Sequence, residues 1–220
     1  MPILTFQTFD DAWDELIQTG HFSLNNAALS LKELYQLYGY VKICSAPLSI
    51  YLCDIRLIPT HTIKSDMPSD VLTQAINTLE QTLLNLLNHD RWQLIQLNKI
   101  ELIENLSLSD DFYYNFLSTS YHSNLKKLNL YLPKASLEPY FMQFLKNNPE
   151  LETLTLDLAY ESNGFIEELA SSITNSPIKK LDLGNTHLDS NAYNALDSLL
   201  DNNYYLQLSV PNADHENEEL

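Results

Sequence analysis

The cysteines and histidines of this chain could supply a nucleophile, a general base or metal ligands. A Cys–His nucleophile would combine Cys44 or Cys53 with His21 or His61. Neither an H-E-x-x-H string nor a paired C-x-x-C occurs, so the sequence indicates no zinc site. Because Cys53 lies beside an apolar position of a repeated pattern, we interpret it as a packed thiol.

The 29 carboxylates could supply a general acid and base, but the sequence identifies no pair that would lie close in space. Only 4 glycines are present, and neither the phosphate-binding string G-x-x-x-x-G-K-[ST] nor the dinucleotide-binding string G-x-G-x-x-G occurs. We therefore expect a non-catalytic protein with no cofactor and no bound metal. The alternative is an enzyme with an unrecognised hydrolase-type site.

The formal net charge of −17 restricts the class of partner. Nucleic acids and anionic membranes both require basic protein surfaces, so we expect a protein partner with a basic face instead. No run of 18 apolar residues occurs, and residues 1–18 carry no Lys or Arg, so neither a transmembrane helix nor a secretory signal peptide is predicted. With only 2 cysteines, both expected as reduced thiols, the sequence predicts a cytoplasmic protein.

The elements that must position the polar side chains repeat along the second half of the chain. An apolar pattern L-x-x-L-x-L, with Ile at two of its positions, occurs at 97–102, 125–130, 151–156 and 178–183. Alternation at its last positions predicts a short strand with one buried face, and the intervening segments predict helices. Since one strand–helix unit cannot bury its apolar face alone, we expect stacked units with parallel strands. Two buried rows are predicted, one of Leu128, Leu154 and Leu181 and one of Leu130, Leu156 and Leu183.

The first half of the chain is less regular. The same pattern fits 52–57, and the next occurrence begins 45 residues later, at Leu97. We predict one domain at 1–210, with an irregular part at 1–96 and regular repeats at 97–210, followed by an acidic tail at 211–220. Shorter elements are also predicted: a strand at 3–6, a helix at 9–17 capped by Thr8, a strand at 22–24, a helix at 30–38 and a long helix at 71–88.

The segment from about Leu97 to Leu208 resembles leucine-rich repeats. Its period and helical return are similar to the ribonuclease-inhibitor type. That resemblance implies an α/β solenoid with parallel strands on the concave face and helices on the convex face. It also implies protein binding on the concave face. The family places a backbone-bonding Asn, Cys or Thr at the ninth position, which Asn105 and Thr186 fit, whereas Pro133 and Ala159 depart from it.

The last residues carry a second resemblance. The string D-H-E-N-E-E-L at 214–220 is similar to the glutamate-rich tails that direct effectors through bacterial type IV secretion. The Asn-, Tyr- and Leu-rich composition resembles that of effectors from intracellular bacterial pathogens. Together these resemblances imply a virulence effector, translocated into the host cytoplasm, that regulates or inhibits a host protein or another effector enzyme by covering its active site. An adaptor that bridges two host proteins is the alternative.

The repeat pattern also predicts which side chains would contact the partner. Motif positions three, five and seven point away from the core, on the concave face. Tyr131 and Tyr205 are expected to supply contact area, and Lys127 and Lys180 to orient the partner. The predicted protein-binding residues are Arg56, Lys99, Glu101, Lys127, Asn129, Tyr131, Thr155, Asp157, Lys180, Asp182, Tyr205 and Gln207.

Overall fold

The structure is a computed structural model that describes residues 8–59, 69–101, 107–119, 122, 124–161, 164–184 and 186–210. The described residues form seven helices and eight strands, which confirms the predicted α/β class. The predicted strand at 3–6, Asn105 and the tail at 211–220 lie outside the described residues.

Helices and strands alternate along most of the chain. The helices are α1 Phe9–Thr19, α2 Leu31–Ile43, α3 Ser69–Leu87, α4 Asp110–Thr119, α5 Glu138–Asn147, α6 Phe165–Ile173 and α7 Ser190–Asn202. The strands are β1 His21–Asn25, β2 Ala28–Ser30, β3 Leu48–Ile58, β4 Trp92–Glu101, β5 Lys127–Leu132, β6 Thr153–Leu158, β7 Lys180–Asp182 and β8 Gln207–Ser209.

All eight described strands belong to one parallel sheet. The order β1-β3-β4-β5-β6-β7-β8 follows the chain, and β2 continues β1 along the same edge of β3. Each connection therefore returns the chain to the neighbouring position, which is the arrangement that stacked strand–helix units require.

The predicted buried rows are present in the second half of the sheet. Leu128, Leu154 and Leu181 pair across β5, β6 and β7, and each is at most 1% exposed. Leu130 pairs with Leu156 in the next row. The third predicted member of that row, Leu183, is fully buried but follows the end of β7. These rows and the apolar sides of the helices form one continuous core.

The register predicted for β4 is wrong by five residues. The pattern at 97–102 would place Ile100 beside Leu128, whereas Ile95 pairs with Leu128 and Leu97 with Leu130. Since Leu97 also pairs with Leu52 of β3, the same shift applies to the pattern at 52–57. The apolar pairs that continue the second-half rows are Ile95 and Leu97 in β4, Ile50 and Leu52 in β3, and Phe22 and Leu24 in β1.

The other predicted N-terminal elements, which lie within the described residues, are confirmed. Thr8 caps α1, and its side chain forms a reciprocal capping box with Asp11. Ser30 does the same with Glu33 at the start of α2, which runs five residues beyond its predicted end at Tyr38. The strand predicted at 22–24 lies within β1, and the helix predicted at 71–88 is α3.

Polar links tie successive units together at the turns that lead into β4, β5 and β6. Buried His122 is bonded to the next unit, because its backbone N–H donates to Asn148 Oδ1 at 2.8 Å. The His122 ring is also 3.2 Å, through Nδ1, from the carbonyl oxygen of His89 in the preceding unit. Asn148 donates in turn to the Phe144 carbonyl at the end of α5, at 2.8 Å. These bonds satisfy backbone groups that the turns would otherwise bury unpaired.

A second link lies at the opposite ends of the strands. The hydroxyl of Thr186, which is 1% exposed, accepts from the backbone N–H of Leu158 at 3.2 Å and lies 3.4 Å from the Leu156 carbonyl. Thr186 therefore bonds to the backbone of the preceding unit. At the matching position after β6, Ala159 has no such side chain, and its backbone N–H bonds to Leu132 instead.

Candidate protein-binding face

The face of the sheet opposite the core carries the candidate site, and we call it the open face. Its side chains are those that alternate with the buried rows. One row runs His21, Ser49, Leu94, Lys127, Thr153, Lys180 and Gln207, and the next runs Ser23, Tyr51, Gln96, Asn129, Thr155, Asp182 and Ser209. We call these the lysine row and the amide row. Most of their residues are exposed or half-buried.

The predicted residues of β5, β6 and β7 lie together on the open face. Lys127 and Lys180 are exposed in the lysine row, on either side of Thr153. In the amide row, Asn129, Thr155 and Asp182 pair side by side and are half-buried. Tyr131, 37% exposed, pairs with the half-buried Asp157 one row further on.

The predicted residues of β3 and β4 lie elsewhere because of the register shift. Arg56 is exposed and pairs through its backbone with Glu101, beyond the point at which β4 and β5 separate. Both residues were expected in the row of Asn129, where Tyr51 and Gln96 stand instead. Lys99 also belongs to this outer extension of β4. The register therefore places Arg56 apart from the candidate residues of β5, β6 and β7.

The open-face residues of β3 and β4 were missed by the sequence analysis: Ser49, Tyr51, Leu94 and Gln96. A usable signal existed, because residues 92–97 read W-Q-L-I-Q-L, which is the same pattern with Trp92 in the first position. Trp92 is fully buried, and its indole N–H donates to the Leu86 carbonyl at 2.8 Å. Reading the pattern only for Leu and Ile at the first position concealed this register.

For the last strand the sequence predicts that Leu206 and Leu208 take the positions of Leu181 and Leu183, and that register is displaced by two residues. Leu208, and not Leu206, continues the row of Leu181, so Gln207 lies beside Lys180 in the lysine row. Tyr205 precedes β8 and is 88% exposed. Together with Lys180, Thr153 and Gln207 it lines an open cavity of about 620 Å³ at the start of the last three strands. Tyr205 is thus close to the lysine row although it lies outside the strand.

The lysines at the N-terminal ends of β5 and β7 fall into two kinds. Lys126 and Lys179, each one residue before a strand, bind carboxylates: Lys126 Nζ lies 2.7 Å from Glu150, and Lys179 Nζ lies 2.7 Å from Glu152. The hydrogen bond to Glu150 raises the pKa of Lys126, and the one from Lys179 lowers the pKa of Glu152. Among the described residues Lys127 and Lys180 have no ion-pair partner, so their charges face solvent.

A glycine lies two residues beyond Asp182, the amide-row residue of β7. Gly184 has a φ of +51°, and a Cβ at this position would overlap the carboxylate of Asp157. The backbone N–H of Gly184 donates to Asp182 Oδ1 at 3.1 Å. Only glycine therefore lets the chain turn here while both carboxylates stay at the end of the face.

Among the described residues considered for catalysis, Cys53 pairs with Asn25, four residues along β1 from His21, so the sheet keeps that thiol and that imidazole apart. His61 lies outside the described residues, His21 is exposed at the start of β1, and Cys44 and Cys53 are half-buried thiols that form no disulfide. Burial lowers the pKa of the His122 imidazole to about 4, although a hydrogen bond from its ring to the His89 carbonyl acts in the opposite direction. In the described parts of the chain, no group of three or more His, Cys, Asp or Glu side chains could hold a metal ion.

Comparison with known proteins adds no assignment, since no family model and no curated protein matches this chain. Within the described ranges, no helix combines the length and the apolar composition needed to cross a bilayer.

Proposed function

We propose that this chain is a leucine-rich-repeat protein of the ribonuclease-inhibitor type that binds another protein on the open face. Two observations support the repeat assignment. The strands are parallel and follow the chain in order, and Leu128, Leu154, Leu181 and Leu208 form one row at spacings of 26, 27 and 27 residues. A solenoid built this way would leave the open face as its concave side.

The composition of the open face is the observation that carries the binding proposal. Its two rows hold mainly Ser, Thr, Asn, Gln and Tyr side chains. Short polar side chains offer adaptable hydrogen bonds, and tyrosine offers large contact area at low cost in entropy, which is the chemistry of antibody binding sites. The seven strands that form the rows span about 29 Å, six intervals of about 4.8 Å, which suits a protein more than a small molecule.

The proposed action is occlusion without catalysis. A partner docked across β5, β6 and β7 would have part of its surface covered, namely the part that contacts Tyr131, Lys127 and Lys180. If that part is an active site, binding inhibits the partner. Bacterial effector enzymes and host proteins are the two partner classes that the sequence resemblance implies.

The proposal is tested by placing a photo-crosslinking amino acid at Thr155, between Asn129 and Asp182 in the amide row. A matched substitution at Asn194, exposed on the helical side in α7, is the control. We expect one protein from infected host cells or from the native bacterium to be linked at 155 and not at 194. Linkage at 194 alone would place the binding surface on the helices and contradict the proposal.

Delivery belongs to the same proposal. We infer that the acidic residues after Pro211 act in export and leave folding unchanged, because a polar terminus buries little surface. A chain ending at Val210 should lose delivery into host cells, measured with a translocation reporter, while its melting temperature stays within a degree or two of the parent. Undiminished delivery would refute the role of the tail without affecting the binding proposal.

An adaptor with a second surface is the alternative that one observation favours. Tyr114 of α4 and Tyr140 of α5 pack edge to face, with ring centroids 4.6 Å apart, and are 43% and 38% exposed. Exposed aromatic pairs are unusual on a solvated helical side and are frequent in interfaces. If Tyr140→Ala removed one captured protein and Tyr131→Ala removed another, the adaptor would replace the occlusion proposal.

A further inference from the structure

The lysine row has a spacing that a partner segment must match. Lys127, Thr153 and Lys180 pair in register across β5, β6 and β7. Neighbouring strands lie about 4.8 Å apart, so the two lysines are separated by about 9.6 Å, with a small neutral side chain midway between them. Both ammonium groups are exposed and, within the described chain, form no ion pair.

Helical and extended segments differ in how they fit this spacing. A helix rises 1.5 Å per residue, so side chains at i, i+3 or i+4, and i+7 share one side and lie at about 0, 5 to 6 and 10.5 Å. In an extended segment, side chains on one side recur every second residue, at about 6.7 and 13.4 Å. The interval of about 9.6 Å therefore fits a helix that crosses the strands, and falls between the two extended spacings.

The amide row supplies the other side of such a helix. Asp182 lies two residues beyond Lys180 on β7, about 6.7 Å along the strand. Thr155 and Asn129 continue the row without charge. A helix lying between the two rows would thus meet positive charge on one flank, and an amide, a hydroxyl and a carboxylate on the other.

We propose that the partner presents an α-helix to the open face, crossing β5, β6 and β7, with acidic side chains at i and i+7 bound to Lys127 and Lys180. The opposite flank of that helix carries a basic residue next to Asp182. This inference rests on the proposed function, because it names the partner element that the open face receives. It also reconciles a partner that carries acidic residues with a binding protein of net charge −17, since both lysines lie in one row.

The test uses two displayed peptide libraries and the full chain as bait. One library holds single helices of about 20 residues, about 30 Å long, with one face randomised. The other holds extended, proline-interrupted peptides of matched composition. We expect binders from the helical library that carry Asp or Glu at i and i+7. Their affinity should fall about tenfold for Lys127→Glu with Lys180→Glu, as two reversed surface charge pairs allow.

The control is Lys126→Glu with Lys179→Glu, which makes the same change in net charge at the residues directly before β5 and β7. It should leave the affinity within about twofold. Exchanging the two acidic residues of a selected helix for Lys should restore binding to the Lys127→Glu, Lys180→Glu variant. Moving the second acidic residue by two positions, about 200° around the helix, should abolish the lysine dependence.

The two levels of the proposal fail in different ways. Selected binders that are extended, or helical without the i and i+7 acids, yet still depend on Lys127 and Lys180, would overturn the helical inference and leave the open face as the binding site. Binders that are insensitive to both the lysines and Asn129→Asp would overturn the proposed function as well. The absence of any binder from the helical library would also count against the helical inference.

Discussion

Strands β3 and β4 contain the same apolar alternation as the four strands that follow them, but only β3 and β4 continue past it into a second apolar stretch. Strands β5 and β6 are six residues long and β7 and β8 three, and none of the four holds more than one unbroken alternation of leucines, so the position of that alternation determines the register. Strand β3 is eleven residues long and buries two successive pairs, Ile50 with Leu52 and Ile55 with Leu57. The apolar pattern therefore allows two alignments of β3 with the next strand, β4. Only the backbone pairing of the two strands, with Leu52 opposite Leu97, shows which alignment the fold adopts.

The largest expected effect tests that comparison directly. Ile95→Ala in β4 and Leu154→Ala in β6 should each lower the free energy of unfolding by about 2–5 kcal/mol, because both residues are fully buried in one row. Thr155→Ala, on the open face, should cost less than about 0.5 kcal/mol. Urea titrations followed by circular dichroism would measure all three. A negligible cost for Ile95→Ala would contradict the register described for β4.

The sequence predicted the second half of this fold well because its pattern is redundant. At 125–130, 151–156 and 178–183, the apolar positions recur at intervals of 26 and 27 residues. Only one register of the strands places all of them in the core. Prediction failed at 52–57 and 97–102, because the apolar pattern there continues beyond the pairs that set the register, Ile50 with Leu52 in β3 and Ile95 with Leu97 in β4. The candidate site follows the same division, since Asn129 and Thr155 lie where expected and Arg56 does not.

Contacts between units that join distant residues were beyond sequence reasoning. The hydrogen bond between His122 and Asn148 spans 26 residues, and neither residue belongs to a recognised motif. Glu80 of α3 similarly accepts from the Ser109 backbone N–H at 2.6 Å, next to the start of α4. Such bonds depend on the final stacking of units, and only the packed structure brings their partners together.

The next largest effect concerns the junction between the two halves. Burial holds the pKa of His122 at about 4, below its usual value of 6.5, so the folded chain stays neutral here while the unfolded chain takes up a proton. Stability from this group is therefore complete above about pH 6.5 and is lost as pH falls towards 4, by up to about 3 kcal/mol. His122→Gln should remove that component from the pH dependence of urea unfolding. Equal slopes for variant and parent between pH 6.5 and 4 would show that the histidine is not the cause.

A smaller effect on stability is expected at Asn148, the residue between α5 and β6 that bonds to His122. Asn148→Ala removes bonds to the His122 N–H and the Phe144 carbonyl, both in buried surroundings. Leaving such groups unsatisfied should cost about 1–3 kcal/mol. Asn147→Ala, which loses only an exposed contact with Gln143, should change stability by less than about 0.5 kcal/mol. Thermal melts of the two variants would compare them, and equal melting temperatures would argue against the link.

Substitutions on the open face should have the smallest effect on stability and the largest effect on binding. This difference distinguishes the open face from the buried rows on the other side of the sheet. Lys127→Glu with Lys180→Glu should slow association with the captured partner and make it less sensitive to salt, because these charges steer the encounter. Tyr131→Ala should act mainly through faster release, since a buried tyrosine contact can contribute about 2 kcal/mol. Both variants should melt within about a degree or two of the parent.

Binding kinetics of these two variants, measured by surface plasmon resonance against the partner linked at position 155, test the central claim most directly. The account predicts slower association for the lysine variant and faster dissociation for Tyr131→Ala, with unchanged melting temperatures. Unchanged affinity in both variants would contradict the claim that β5, β6 and β7 present the binding face.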